Sequence, residues 1–350
     1  MNKKNKTPKV NIYYIAKEVG VSVATISRFF NNETLVKEST KTKILKVCQK
    51  YNYKPSKIAS AITTKRTKSI AFIVPSLKDP TFVELISGAE LAMSKKGYSM
   101  TLFNTRQNIF REREIIDTLD SMIIDGVIFS GVYGGEEEKI FISEVQKRNI
   151  PIILVDRIIP DINIPFVMSN DYLGGKLAAK FILENNHKKI GIVTYFRKVF
   201  IFNERVQGFI DVLKQAGINE IFIEEVPLEY NKIEEALIEK KDFILKSDVT
   251  AIFCVADSIA IFLSRILMED KIKIPDEISI MGYDNLFFSN YLVPGLTTIN
   301  HDMYEIGKMA AENLIHRLET GRFKNKKIVI DPVLLPRDSV KNLKNGNLNR

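Results

Sequence analysis

NIYYIAKEVGVSVATISRFFNN, residues 11–32, decides how the chain is read. Ile12, Ile15, Ala16 and Val19 recur at the i, i+3, i+4, i+7 spacing of one helical face, so a first helix of about two turns is expected. Gly20 follows and supplies the left-handed backbone conformation at which helices end, while Ser22 offers a hydroxyl to cap a second helix. In that helix Ile26 and Phe29 face back on Ile15 and Ala16, and Val23, Ala24, Ser27 and Arg28 are left on the outer side. A small residue at 16, a glycine at 20 and an apolar plug at 26 meet the steric needs of a helix-turn-helix: close approach, sharp turn, filled crossing. An ordinary pair of core helices would satisfy the same spacing.

Charge separates the two readings. Residues 1–68 carry 16 Lys or Arg against 3 Asp or Glu, and residues 69–350 carry 35 against 39, so the excess behind the overall +9 lies in the first fifth of the chain. A small basic head on a near-neutral body is the footprint of a nucleic-acid-binding module attached to something with another task. Residues 1–9 read as a basic disordered tail, and 10–54, where regular apolar spacing begins, as the helix-turn-helix domain. Such a domain sets its second helix in the major groove with the N-terminal residues at base edges. Arg28 suits the bidentate bond to guanine, and Val23 and Ala24 suit thymine methyl groups. Ser22, Thr25 and Ser27 suit phosphate oxygens, and Asn31 completes the DNA-facing set.

A third helix is expected with Ile44, Leu45, Cys48 and Tyr51 on one side and Lys41, Lys43, Lys46 and Lys50 exposed. Residues 55–68 then read as a hinge helix and linker. Pro55 breaks the chain, Ser56 can start a new helix, and Ile58, Ala59 and Ile62 share a face. The piece is too short to be helical alone in water, so it folds only when something holds it.

VSVATISRFFNN (21–32) followed by YKPSKIASAITTKRTKSIAFIVPSLKDPTF (53–82) resembles the LacI/GalR (lactose/galactose repressor) family of bacterial transcription regulators, in order from Asn11 to about Ser339. The resemblance implies a homodimer that reads a pseudo-palindromic operator in double-stranded DNA, with paired hinge helices wedging an apolar side chain into the minor groove. Ile62 stands where the family usually has Leu, and a bulky apolar group is what parting a base step requires. Ser60 replaces a common Arg of the hinge, and Lys37 replaces the usual Ser cap of the third helix.

From Ser69 short β-branched or aromatic runs alternate with helical patterns. IAFIV (70–74), SMTLF (99–103), GVIFS (126–130) and PIILV (151–155) are separated by helices at 80–96, 111–122 and 136–147. After a helix at 171–185 a second series runs through IGIVT (190–194), IFIEE (221–225), AIFCV (251–255) and SIMGY (279–283), with helices at 203–215, 231–246 and 257–269. The fold class is therefore α/β: a three-helix head, then two doubly wound parallel-sheet lobes. The resemblance makes 69–340 a periplasmic-binding-protein-like core. Lobe 1 takes 69–168 and 300–326, with a helix at 302–319; lobe 2 takes 169–299 and 327–340; 341–350 form a polar tail.

Ligands of such sheets bind beyond the C-terminal strand ends, where Ser76, Asp79, Ser130, Asp156, Arg157, Asp257 and Asp284 fall; Arg205 begins the helix after Thr194. The resemblance implies that Asp79, Phe82, Asp156, Asn170, Arg205, Asp257 and Asp284 line an effector cleft for a small molecule, a sugar or polyol. Arg205 and Asp284 lead the set, because a guanidinium and a carboxylate can each take paired hydroxyls while Phe82 offers a ring face. The plainer roles are that Asp79 and Asp257 cap the helices they precede and that Asp156 bridges to Arg157 or a nearby Lys. YFRKVFIFN (195–203) stands where the family often has a Gly-rich turn, and Ala256 where many sugar-binding relatives carry Asn or Ser, so a more aromatic cleft is expected.

No catalytic, metal or cofactor site is read, and the chain is not expected to be an enzyme. Cys48 and Cys254 are far apart, without a CxxC partner or a His at ligand spacing, and His187, His301 and His316 are scattered. Gly174-Gly175-Lys176 suggests a phosphate loop, but Leu177 stands where Ser or Thr must hold magnesium. GxGxxG is missing after the first strand of either lobe, and GxSxG is absent. No apolar run reaches the ~18–20 residues of a membrane span, and the basic start precedes no apolar signal core, so a cytoplasmic protein is expected. The tail shows no heptads, hence no tetramer-forming helix. Two alternatives stay open: a catabolite-control-type regulator answering to a phosphoprotein corepressor, and a sugar-binding module with a vestigial DNA-binding head.

Overall fold

The computed structural model describes residues 10–31, 33–53, 66–130, 136–159, 162–195 and 199–345. The basic tail at 1–9, Ser56 and Ile62 of the expected hinge, and residues 346–350 lie outside the described residues. The chain divides into two compact units at the Thr67–Lys68 junction.

The first unit holds helices α1 (Ile12–Val19), α2 (Val23–Asn31) and α3 (Glu38–Lys50). Asn11 caps α1 by accepting from Tyr14 N at 3.0 Å, and Gly20 ends it at φ 77°, with its N–H bonded to Ala16 O. That conformation is free to glycine and strained for a side chain, which is why the turn can be this tight. Ile15, Ala16, Ile26, Phe29 and Ile44 form the core. Tyr51 closes it by donating to Glu18 Oε2 at 2.9 Å and meeting the Tyr14 ring edge-on. Two expectations change here. Leu45 is 51% exposed, and Val47 packs on the core beside Cys48 and Tyr51, because the face of α3 is set by Ile44. Val23 is half-buried against the same core rather than turned outward. Lys37 stands at the N-cap of α3 without a side-chain capping bond.

The second unit is two lobes. In lobe 1, strands β1 (Ser69–Val74), β2 (Ser99–Asn104), β3 (Gly126–Phe129), β4 (Ile152–Val155) and β5 (Phe166–Ser169) join β11 (Lys327–Ile330) in one parallel sheet, ordered β11-β5-β4-β3-β1-β2. Alternation along β1 assigns its faces. Ile70, Phe72 and Val74 pack against helices α4 (Thr81–Lys95) and α11 (Met303–Thr320), whereas Ala71 and Ile73 pack against α5 (Ile109–Met122) and α6 (Glu136–Lys147). Burial on both faces is what made these strands continuous apolar runs.

Lobe 2 repeats the plan. Strands β6 (Ile190–Tyr195), β7 (Phe222–Val226), β8 (Ala251–Cys254) and β9 (Ser279–Met281) pair in parallel in the order β7-β6-β8-β9. They are covered by α7 (Asp171–Glu184), α8 (Phe200–Gln215), α9 (Ile233–Lys246) and α10 (Asp257–Glu269). Phe209 of α8 stacks on Phe253 of β8 at 4.6 Å.

The chain passes between lobes after β5, after β10 (Thr298–Asn300) and after β11; β12 (Val333–Leu335) then pairs antiparallel with β10. The last passage corrects the expected boundary at 326/327. β11 is hydrogen-bonded along β5 from Lys327↔Phe166 to Ile330↔Ser169, so it belongs to the lobe 1 sheet and the chain leaves only at Asp331. Asn170 and Asp331, on adjacent passages, are tied by Asn170 Nδ2 donating to Asp331 Oδ1 at 3.0 Å.

Candidate functional site

Helix α2 presents a compact polar edge. Ser22 Oγ accepts from Thr25 N at 3.1 Å and lies 2.9 Å from Thr25 Oγ1, so the first turn is pinned by its own hydroxyls. Ser22, Ala24 and Arg28 are exposed, Thr25 and Ser27 are half-buried, and Val23 is drawn toward the core. Ala24 and Arg28 stand one turn apart on one face. The side chain of Asn31 lies outside the described residues, as do Ser56 and Ile62.

In the body, a small cavity of about 70 Å³ lies between the lobes at the carboxyl ends of their strands. Lobe 1 supplies Asp79 and Phe82 beyond β1, Gln107 beyond β2, Ser130 beyond β3, and Asp156 and Arg157 beyond β4. Lobe 2 supplies Tyr195 of β6, Val199, Ile201 and Phe202 at the start of α8, and Leu228 and Tyr230 beyond β7. The wall from lobe 1 holds every charged group, beside Pro75 and Phe82; that from lobe 2 is mainly aromatic and aliphatic. Gln107 Nε2 donates to Leu228 O at 3.3 Å and so joins the two walls directly.

Asp156 is the most exacting group of the cavity. It is nine-tenths buried, and its Oδ1 has no hydrogen-bond partner. Burial, reinforced by Asp171 and only partly opposed by Arg205 and Arg157, pushes its carboxyl up to about 7. Asp79 lines the same wall and accepts from Thr81 N at 3.0 Å, the capping role expected of it, while burial raises its carboxyl too.

Arg205 and Asp284, the leading candidates, do not line the cavity. Arg205 is buried in lobe 2, where Nε donates to Asp171 Oδ1 at 2.8 Å and Nη1 to Val255 O at 2.8 Å and Asp284 Oδ1 at 3.0 Å. Nη2 lies 3.2 Å from His301 Nδ1, and a guanidinium has only donors, so Nδ1 accepts and the imidazole proton sits on Nε2, 3.4 Å from Asp284 Oδ1. Tyr283 lies beneath the guanidinium at 3.8 Å and donates to Asp171, and Phe202 lies 5.3 Å away on the cavity side. Burial opposes the charge on Arg205, but Asp171 and Asp284 outweigh it and hold the group firmly protonated. Burial and then Arg205 keep His301 neutral, and burial pushes Asp284 up against the pull of Arg205. With three side-chain partners at sequence separations of 34, 79 and 96, the guanidinium is a structural hub joining two interlobe passages, at Asp171 and His301.

Three further candidates are placed elsewhere. Ser76 accepts from Lys78 N within its own loop. Asn170 caps α7 by accepting from Leu173 N and ties the passages. Asp257 is buried and accepts from Leu286 N, Ser289 Oγ and Thr298 Oγ1, bracing the loop beyond β9 instead of capping α10; burial leads its rise to about 6. Gly174 and Gly175 have a packing reason. A Cβ on Gly174 would meet Tyr283 Oη at 2.1 Å, and one on Gly175 would meet Arg205 O at 2.0 Å, so α7 must be bare there for the hub to fit. Sequence reasoning missed Gln107, Leu228 and Tyr230, which sit in short connections, and the role of His301. The aromatic character of YFRKVFIFN was the one signal toward Tyr195 and Phe202.

A helix-turn-helix unit followed in sequence by a two-lobed body with a cavity at its strand ends defines a DNA-binding regulator that carries its own ligand-binding domain. Residues 11–56 match the model of bacterial regulatory proteins of the lacI family, and residues 179–340 that of a periplasmic binding protein-like domain. The chain is 30% identical to the HTH-type transcriptional repressor PurR of Photobacterium profundum and 28% identical to the ribose operon repressor of Haemophilus influenzae, in each case over 94% of this chain and 98% of the relative. A LacI family transcriptional regulator from Enterococcus faecalis with bound ribose is 29% identical with a TM-score of 0.69, covering 79% of this chain and 99% of its own. The chain belongs to the LacI family of bacterial regulatory proteins.

Proposed function

We propose that this regulator represses transcription from the cytoplasm as a homodimer, reading its operator through α2, and that an uncharged pentose-bearing metabolite in the interlobe cavity sets whether it stays bound. The observation that carries the operator reading is the exposed Ala24–Arg28 face on a helix whose first turn is already capped. Arg28 takes guanine, Ala24 meets a thymine methyl, and Ser22 and Thr25 take phosphates. Val23, being half-buried, is left out of the base-reading set.

The effector reading is supported by the unsatisfied Oδ1 of Asp156, which a ligand hydroxyl or amine would complete, and by relatives named for, or bound to, ribose. At about 70 Å³ the cavity is smaller than the ~300–1,000 Å³ of ordinary ligand sites, so the lobes part to admit a ligand and close on it. Phe287, Tyr291 and Val293, exposed by 75%, 68% and 85% on one short stretch of lobe 2, offer an apolar surface to a second copy. Described residues contain no helix long and apolar enough to cross a membrane. Gel shift against a selected operator tests the function. Arg28→Ala and Ile62→Glu each weaken the specific complex if the reading is right, and undiminished specific binding by both contradicts it.

A further inference from the structure

The charged groups of the cavity all come from one lobe. Asp79, Gln107, Ser130, Asp156 and Arg157 stand on lobe 1 beside Pro75 and Phe82, while Tyr195, Phe202, Leu228 and Tyr230 stand on lobe 2. A free pentose or polyol carries hydroxyls all around its ring and would need hydrogen-bonding groups on both sides. Lobe 2 commits most of its polar groups elsewhere: Arg205 and Asp284 are bonded to each other, and Tyr195 Oη is spent on Ser258 Oγ at 3.0 Å, which leaves the Tyr230 phenol as the polar group of that wall. A hydroxylated face against that wall would lose water and regain few of its hydrogen bonds.

From this asymmetry we infer that the preferred effector is a neutral ribonucleoside, with its ribose hydroxyls on the Asp156 wall and its base against Phe202 and Tyr230. The inference rests on the pentose reading above and narrows it. A flat heteroaromatic base buries apolar area against aromatic rings and stacks on them, which a bare pentose cannot do. Ribose hydroxyls donate to Asp156 Oδ1, the buried acceptor without a protein partner. Phosphorylation counts against binding, because that wall offers a phosphate one guanidinium, Arg157, beside two buried carboxyls, Asp79 and Asp156, whose ionisation a second anion would oppose.

Titration calorimetry of the full chain with D-ribose, adenine, adenosine, uridine and adenosine 5′-monophosphate tests this. Expected are adenosine and uridine binding at least tenfold more tightly than ribose, adenosine at least tenfold more tightly than adenine, and the monophosphate at least tenfold more weakly than adenosine. Tyr230→Ser and Phe202→Ser should each narrow the ratio of adenosine to ribose affinity, a readout that general loss of folding would not move selectively. Ribose or adenine as tight as adenosine, or the monophosphate as tight as adenosine, overturns the inference. Of these, ribose matching the nucleosides leaves the pentose reading standing, whereas no binding by any of the five, with specific operator binding intact, overturns both.

Discussion

Arg205 Nε donates to Asp171 Oδ1 at 2.8 Å in a site with almost no exposure of either side chain, and the same guanidinium bonds Asp284. One buried cation thus serves two buried carboxylates. Removing it strands both, which is far more costly than losing a surface pair. Arg205→Ala should lower the unfolding free energy by about 3–5 kcal/mol in urea titrations. Arg205→Lys should recover only part, because a single ammonium cannot reproduce a planar fork aimed at Asp171, Val255 O and Asp284 at once. A loss below about 1 kcal/mol, the scale of a surface pair, would show that the hub is not integral to the lobe.

Asp156 gives stability a defined pH dependence. Its carboxyl lies at about 7 in the folded chain against 3.8 for the free group, so between about pH 4 and 7 the folded state binds more protons than the unfolded one. Stability of the unliganded wild type relative to Asp156→Asn should therefore fall as pH rises through that window and level off above it. Taking the difference removes the opposing trend from His187 and His301, whose imidazoles burial keeps low. Parallel stability curves for the two proteins would show that Asp156 is not desolvated.

Close helix approach at Gly175 is testable with one methyl. Its Cβ would lie 2.0 Å from Arg205 O, a backbone atom that cannot swing aside. Gly175→Ala should cost roughly 1–3 kcal/mol, the usual penalty of overpacking, despite the better helix propensity of alanine. A stabilised variant would mean that α7 and α8 separate freely.

Tyr291 tests the assembly. Tyr291→Asp places a charge at the centre of the exposed Phe287–Val293 stretch and should shift the protein from dimer to monomer in light scattering, with its unfolding midpoint at low concentration little changed. A variant that remains fully dimeric would move the interface elsewhere.

The readable parts of this chain are those whose physics is local. β3, β4, β8 and, after Ser69, β1 are apolar without interruption because both their faces are covered, and α10 is bounded as its pattern indicated, at Asp257–Glu269. β5, β10, β11 and β12 are three or four residues long, and β11 and β12 are largely uncovered, so neither length nor alternation marks them. The same limit governs the cleft. Strand-end logic found Asp79, Ser130, Asp156 and Arg157, which line the cavity, but nothing near Arg205 in sequence announces that its partners stand 34, 79 and 96 residues away. A polar residue at a strand end can face a ligand or another buried charge, and only the fold decides between them.

Operator binding through α2 is the claim on which the rest depends, and fluorescence anisotropy with a selected operator duplex and a scrambled one measures it directly. Arg28→Ala should weaken the selected duplex by about 1–3 kcal/mol, roughly five- to 150-fold, while leaving the scrambled duplex almost unchanged. Equal affinities of wild type and Arg28→Ala for the selected duplex would contradict the account.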